Sequence, residues 1–259
     1  TDLNGCQIPI EYDITEPDQI TVSVIQSDYS TYGVLCNGSN NGFIDITVEG
    51  GTGLYSYSWS NGSNSEDLTG IGPGTYDLIV SDENGCDESV SITISEPDIL
   101  SISSTQSNFS GFGISCNGES DGFIDITVSG GTGNYSYAWN NGSISEDLSN
   151  INAGTYDVIV TDENGCVVQS SFFIDQPDPL IISSVLSDFT GYGISCYGEN
   201  NGSIDITVSG GVEPYTYSWN NGETTQDLAN LSSGTYELTV LDSQNCTSSV
   251  QFEIEEPDD

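Results

Sequence analysis

Apolar and polar residues alternate with a period of two in short stretches along the whole chain. Ile20, Val22 and Val24 alternate with Thr21 and Ser23, and Ile44, Ile46 and Val48 with Asp45 and Thr47. A strand sends successive side chains to opposite faces, so each stretch reads as a strand with one buried face. Tyr55, Tyr57 and Trp59 make a third, aromatic-faced strand. Tyr76, Leu78 and Val80 make a fourth, and Val90, Ile92 and Ile94 a fifth. Gly50-Gly51 and Asn61-Gly62 supply turns. No segment carries helical periodicity, and roughly six or seven short strands per repeat predict a small β-sandwich.

The pattern recurs at a fixed step of 80 residues. The Ile-Asp-Ile-Thr-Val run begins at Ile44, Ile124 and Ile204, the tryptophans are Trp59, Trp139 and Trp219, and Gly-Thr-Tyr begins at Gly74, Gly154 and Gly234. An unbroken period means an array of equivalent units. Pro17, Pro97, Pro177 and Pro257 recur at the junctions, where proline restricts its predecessor to extended geometry and makes a short, stiff connector. The expected organisation is residues 18–97, 98–177 and 178–259 as three full repeats. Residues 1–17 are expected to finish a preceding repeat, with residues 7–15 as its closing strand. A Trp on a central strand, and Tyr76 opening a later strand after Pro73-Gly74-Thr75, predict a buried Trp and a tyrosine corner of the immunoglobulin-like kind. The fold class is all-β: tandem immunoglobulin-like β-sandwich repeats of 80 residues, and Gly74-Thr75-Tyr76 with Asp82-Glu83-Asn84-Gly85 resembles PKD-type domains, which implies a PKD-like sandwich.

Seven cysteines without a CxxC pair argue for disulfides in an oxidising compartment and against zinc. Four strands fit between Cys36 and Cys86, and an even number of passes returns the chain to the same end. That favours Cys36–Cys86, Cys116–Cys166 and Cys196–Cys246, and leaves Cys6 with a partner upstream. Two rivals stay open: a staple across the junction (Cys86 to Cys116) and one between neighbouring repeats (Cys36 to Cys166).

Charge narrows the partners. There are 40 Asp and Glu and no Lys, Arg or His, a net charge of -40. High charge can signal disorder, but 35% hydrophobic residues at recurring positions predict a fold. Nucleic acid and anionic membranes are excluded, because phosphate recognition needs Lys or Arg. No apolar run is long enough to span a bilayer, and residues 1–17 carry no signal-peptide pattern. The expected localisation is extracellular.

The same composition removes the usual catalytic groups: no Ser can sit in a Ser-His-Asp arrangement. The paired carboxylates Glu66-Asp67 and Glu146-Asp147 repeat in Gly/Ser-rich loops, which an enzyme site does not require. Calcium is the candidate ligand, since it takes six to eight hard oxygens. Asp82, Glu83, Asn84, Asp162, Glu163, Asn164 and Asp242 are the candidate donors on tight turns, with junction residues Glu96, Asp98, Asp175 and Asp178 as possible completing ligands. The alternative is an Asx-type turn with solvated charges. Asn-Xaa-Ser triplets such as Asn37-Gly38-Ser39 arise by chance in so Asn-, Gly- and Ser-rich a chain.

Cys-Asn-Gly, Asp-Gly-Phe-Ile-Asp-Ile-Thr-Val, Gly-Gly-Thr-Gly, Tyr-Ser-Tyr-Xaa-Trp, Gly-Thr-Tyr, Val-Xaa-Asp-Glu-Asn-Gly-Cys and Glu-Pro, in that order, resemble the SprB repeat. That repeat is found in very large surface adhesins of Bacteroidota, including the mobile gliding-motility adhesin exported by the type IX secretion system. The resemblance implies a non-enzymatic, extracellular adhesive stalk. A self-assembling filament, in which the chain is its own partner, and a glycan-binding module using Trp59 or Tyr55 are the alternatives. Surface glycans or abiotic surfaces are the expected adhesive targets.

Overall fold

The computed structural model describes Gln7 and residues 10–259. These form eighteen β-strands and no helix. In repeat 1 the strands are β1 (Thr21–Gln26), β2 (Gly42–Glu49), β3 (Ser56–Trp59), β4 (Leu68–Ile71), β5 (Gly74–Ser81) and β6 (Asp87–Ile94). Repeat 2 has β7 (Ser101–Gln106), β8 (Gly122–Ser129), β9 (Ser136–Trp139), β10 (Leu148–Ile151), β11 (Gly154–Thr161) and β12 (Val167–Ile174). Repeat 3 has β13 (Ile181–Leu186), β14 (Gly202–Ser209), β15 (Thr216–Trp219), β16 (Leu228–Leu231), β17 (Gly234–Leu241) and β18 (Thr247–Ile254). Each repeat makes two three-stranded sheets, ordered β1-β2-β4 and β3-β5-β6 in repeat 1. This is a tandem array of immunoglobulin-like β-sandwiches. Strand β4, which the alternation did not reveal, is too short to display a period: only Leu68 and Ile71 at its ends are buried.

The alternation decides the faces. Along β2, Ile44 and Ile46 are buried while Asp45 and Thr47 are exposed. They meet Leu78, Val80, Ile92 and Ile94 from the opposite sheet, with Val34 and Trp59, in one core. Repeat 3 repeats that core with Ile204, Ile206, Leu238, Val240 and Trp219. Removing a fully buried side chain such as Leu78 down to Ala costs about 2 to 5 kcal/mol. The tyrosine corner is formed: the Tyr76 hydroxyl donates to the Gly72 carbonyl at 3.0 Å, Tyr156 to Asn152 at 2.9 Å and Tyr236 to Ser232 at 3.1 Å.

Strand direction matters for the cysteines. β4 is antiparallel to β2, with Gly42 opposite Ile71, and β3 is antiparallel to β5, with Ser56 opposite Ser81. Only Gly72 and Pro73 separate Ile71 of β4 from Gly74 of β5, so β5 leaves the end where β4 stops. β3 and β4 therefore run the same way, the chain changing sheets between them without reversing.

Two compact units divide the chain. The first is Thr1–Ser101, Ser129–Tyr135 and Thr161–Val167; the second is Ile102–Val128, Ser136–Val160 and Val168–Asp259. The first thus contains the Cys36 loop and the Cys166 turn, and the second the Cys116 loop and the Cys246 turn. The closing strand expected over residues 7–15 is not formed among the described residues, and Ile10, Tyr12 and Ile14 are exposed. In a full repeat β6 is held by β5 of the same repeat. Cys6 lies outside the described residues.

Candidate functional site: cysteine staples between successive repeats

The turn after β5 is built on one carboxylate. Asp82 Oδ1 accepts from the amides of Asn84 and Cys86, each at 2.9 Å. Its Oδ2 accepts from the Thr52 amide at 3.0 Å and the Thr52 hydroxyl at 2.9 Å. The Asp82 side chain is buried. The Cys86 N–H, followed by the Thr52 and Asn84 donors, holds its pKa below the ordinary value of 3.8, against the opposing effect of desolvation. Asp162 repeats all four bonds, with Asn164, Cys166 and Thr132. Asp242 keeps the three amide bonds, but Val212 stands in the threonine's place and offers no hydroxyl. Glycine is required opposite this carboxylate: Gly51 has φ +65°, and a Cβ there would lie 3.2 Å from Asp82 Oδ2 and 2.8 Å from the Ile20 side chain. Position 245 needs φ +66°, and Asn serves there in place of the glycines at 85 and 165.

The Cys-Asn-Gly loop forms before β2. The Ser39 amide donates to the Cys36 carbonyl at 3.0 Å, Asn37 Nδ2 to the Pro97 carbonyl at 3.0 Å, and the Gly38 amide to Glu96 Oε2 at 2.6 Å. The loop is thus fastened to the end of β6 and to the junction that follows.

The sulfurs join across repeats. Cys36 is bonded to Cys166 with Cα atoms 5.7 Å apart, and Cys116 to Cys246 at 5.6 Å, each across 130 residues of chain. Hydrogen bonds seat the turn on the loop. Asn164 Nδ2 donates to the Leu35 carbonyl at 3.2 Å, and the Ser30 hydroxyl donates to Asn164 Oδ1 at 3.3 Å. At the second staple Gln244 Nε2 donates to the Ser110 hydroxyl at 2.7 Å. Cys86 and Cys196 are free and exposed.

These bonds overturn the expected Cys36–Cys86, Cys116–Cys166 and Cys196–Cys246 pairing, and the inter-repeat rival is the one formed. Because β3 and β4 run the same way, the chain makes three net passes between Cys36 and Cys86, not four, and three passes end at the opposite pole. Cys36 sits by Ser95–Pro97 past the end of β6, whereas Cys86 directly precedes β6. Eight strand residues separate the two, about 26 Å at the usual rise, far beyond disulfide reach.

The remaining candidate residues make contacts within the protein. The oxygens of Asp82 and Asp162 are turned to protein donors, the Glu83 carboxylate packs over Gly53, and Asn84 Nδ2 donates to the Thr52 hydroxyl at 2.6 Å. Glu163 packs over Gly133 in the same way. Among the described residues no group of three or more Asp, Glu or Cys side chains is gathered as a metal site. Of the junction carboxylates, Glu96 caps Gly38 and Asp175 accepts from the Gly113 amide at 2.7 Å. The carbonyls of Asp98 and Asp178 accept from Gly131 and Gly211. Asp67 and Asp147, from the carboxylate pairs, accept from the Ile46 and Ile126 amides and hold the β2 and β8 backbones. Trp59, Trp139 and Trp219 are buried, each indole N–H donating to a loop carbonyl at 2.9 Å, so none presents a face to a sugar. Tyr55 is half-buried, its hydroxyl on the Gly50 carbonyl.

Comparison with known proteins gives a family match at three places: residues 31–64, 114–144 and 194–224 fit the family described as SprB repeat. No curated protein matches the chain. Among solved structures it is similar to a C-terminal 282-residue fragment of intimin in complex with the translocated intimin receptor's intimin-binding domain, at 14% identity and TM-score 0.33, covering 64% of this chain and 66% of that one. It is also similar to the N-terminal eight Ig domains of Down Syndrome Cell Adhesion Molecule, at 9% identity and TM-score 0.29, covering 93% of this chain and 48% of that one. A third is Dpr2 Ig1-Ig2 in complex with DIP-Theta Ig1-Ig3, at 9% identity and TM-score 0.28, covering 87% and 98%.

Proposed function

From a chain in which the SprB repeat occurs three times, we propose a non-enzymatic, extracellular adhesive repeat protein that serves as a covalently braced stalk. The supporting observation is the interleaving of the two disulfides. In chain order the bonded cysteines are 36, 116, 166 and 246, so the bonds cross and do not nest. Between the two staples run three parallel stretches of chain, of about 80, 50 and 80 residues. A pull on the ends is shared by all three, and extension is limited by the shortest, residues 116–166. Disulfides that persist also suit an oxidising, extracellular setting. In the chain-entropy treatment, closing a loop of this size stabilises the fold by about 5 kcal/mol.

Single-molecule stretching of the oxidised chain tests the stalk reading. Between the staples the expected gain is at most about 180 Å of contour, against about 750 Å after reduction, from the span of an extended residue. An oxidised chain that lengthens as far as the reduced one removes the load-bearing reading.

A further inference from the structure

One long sheet edge in repeat 3 carries no charge. Strand β13 pairs only with β14, from Ile181 opposite Ser209 to Leu186 opposite Ile204. In an antiparallel ladder every second residue of an edge strand turns its N–H and C=O away from its one neighbour. Among the described residues, those groups of β13 bond nothing outside the sheet. No residue from Pro179 to Ser187 is charged, in a chain with 40 Asp and Glu. The other edges of repeat 3 differ: β18 carries Glu253, and β15 and β16 have four residues each. Charge and shortness are what keep sheet edges from pairing, and β13 has neither. Strand β7, with a full repeat on either side, is exposed over residues 103–106, so the open edge belongs to the repeat and not to its place in the chain.

The side chains of β13 are arranged symmetrically. Ile182 and Leu186 pack on the core, so Ile181, Ser183 and Val185 face outward. Ile181 is 55% exposed and Val185 70%. The outward order of apolar residue, serine, apolar residue is the same in both directions about Ser183. At these positions β1 has Thr21, Ser23 and Ile25, and β7 has Ser101, Ser103 and Thr105. Of the three strands, β13 alone has an apolar side chain at both ends of this row.

We propose that β13 is a docking edge for β13 of a second copy of this chain, the two strands pairing antiparallel about a two-fold axis at Ser183. The axis stands perpendicular to the sheet, so outward residues stay outward. Ile181 of each copy then faces Val185 of the other, and such directly opposed apolar pairs are what stabilise a strand pair. The two sheets become one of six strands. Charge favours a second copy at this edge: two chains of -40 can meet only where carboxylates stay apart. The nearest acidic strand is β14, with Asp205. The two β14 strands would lie three strand spacings apart, about 14 Å, which exceeds the screening length of about 8 Å at about 0.15 M salt. The contact is isologous and closes at a dimer, setting two stalks side by side.

The test uses the full oxidised chain with its free thiols alkylated, so that no disulfide joins copies. Sedimentation equilibrium at millimolar protein is expected to give monomer at about 0.01 M NaCl and a monomer-dimer equilibrium at about 0.15 M, as the screening length falls from about 30 Å to about 8 Å. In the dimer the amides of residues 181–186 exchange with deuterium several-fold more slowly, while those of β1 and β7 are unchanged. Ile181→Lys and Val185→Asp each stay monomeric at an unchanged melting temperature. Their equimolar mixture dimerises again, because the introduced ammonium and carboxylate face each other across the new strand pair. A chain that stays monomeric up to molar salt overturns the proposal. So does a dimer that both substitutions leave intact, one whose slowed amides lie on another strand, or a mixture of the two variants that fails to pair. The exchange measurement needs no substitution and decides the matter even where a variant fails to fold. Dimerisation is read by mass and not by extension, so a monomeric chain leaves the stalk standing.

Discussion

Cys36 is bonded to Cys166, in the next repeat, while Cys86 of its own repeat lies a full strand away. The bond ties the loop before β2 to the turn before β12, and the next bond, Cys116 to Cys246, starts before the first has closed. Neighbouring repeats therefore share covalent continuity beyond the single peptide at each proline junction.

That topology makes the chain tolerant of cuts. Trypsin has no site, since Lys and Arg are absent, but a Glu-specific protease has sites in all three stretches, including Glu66, Glu146 and Glu223. One cut between Cys36 and Cys246 leaves every piece attached, and separating the two staples needs a cut in each of the three stretches. A single Glu-specific cut between Cys36 and Cys246 is expected to leave the non-reduced mass unchanged apart from one added water while reduced samples fragment, whereas cuts at Glu11, Glu16, Glu253, Glu255 or Glu256 trim the ends outside the staples. Loss of a piece from the non-reduced sample after a single cut in that region contradicts the bonding pattern.

Asp82 predicts an acid limit. Its pKa is held below 3.8 by the Cys86, Thr52 and Asn84 donors. A depressed carboxylate stabilises the fold above its unfolded pKa, and that contribution disappears as pH falls through the folded value. Urea midpoints are expected to drop below about pH 3.8 in the native chain. Asp82→Asn, which turns a donor toward the Thr52 amide, is less stable at neutral pH and shows a shallower acid drop. An equal acid slope in the variant rules this carboxylate out as a source of it.

Tyr57 predicts an alkaline one. Burial, and then the neighbouring Glu66 carboxylate that its hydroxyl bonds, push its pKa up to about 12. At the same position in repeat 3 Tyr217 meets the neutral Gln226 instead, at 3.3 Å, and its pKa is raised chiefly by burial. A raised phenol stabilises the fold below its unfolded pKa of about 10 and loses that contribution progressively up to about 12. Absorbance titration of tyrosinate is expected to show Tyr57 among the last to ionise, with Glu66→Gln moving it lower. No change in that variant disproves the coupling.

Much of the fold was legible because burial on one face of a strand leaves a period of two in the sequence. Ile44-Asp45-Ile46 is the plain case, and the 80-residue step then multiplied each reading by three. Tyr76 and Trp59 were legible for the same reason, as large side chains at fixed offsets from turns. The staple was not. Whether β3 and β4 run the same way depends on the path from Trp59 to Leu68 through Asn61-Gly62, a turn signal that normally reverses a chain. Here the Gly62 amide returns to the Trp59 carbonyl in a tight turn, yet the chain goes on to the other sheet. One misjudged reversal moved Cys36 from one pole of the sandwich to the other. The Asp-Glu-Asn-Gly turns carried oxygen donors of the right kind for calcium, but composition is silent on where lone pairs point. In the fold the Asp82 oxygens face Thr52, Asn84 and Cys86.

Salt separates screening from ion binding. The chain carries -40 and no side-chain cation, so added salt has only repulsion between side chains to weaken, without ion pairs to break. The screening length falls from about 30 Å at 0.01 M to about 10 Å at 0.1 M, which spans the distance between carboxylates on facing sheets and neighbouring loops. The melting temperature is therefore expected to rise steadily with NaCl over that range, where a protein balanced in charge would show little change. Calcium chloride at matched ionic strength is the discriminating arm. Because Asp82 and Asp162 spend their oxygens on protein donors, the two salts are expected to give the same curve apart from a small excess from divalent condensation. A calcium-dependent rise of ten degrees or more, on the order of 2 kcal/mol or greater for a domain of this size, at micromolar concentrations would show a bound ion and require these turns to rearrange around it.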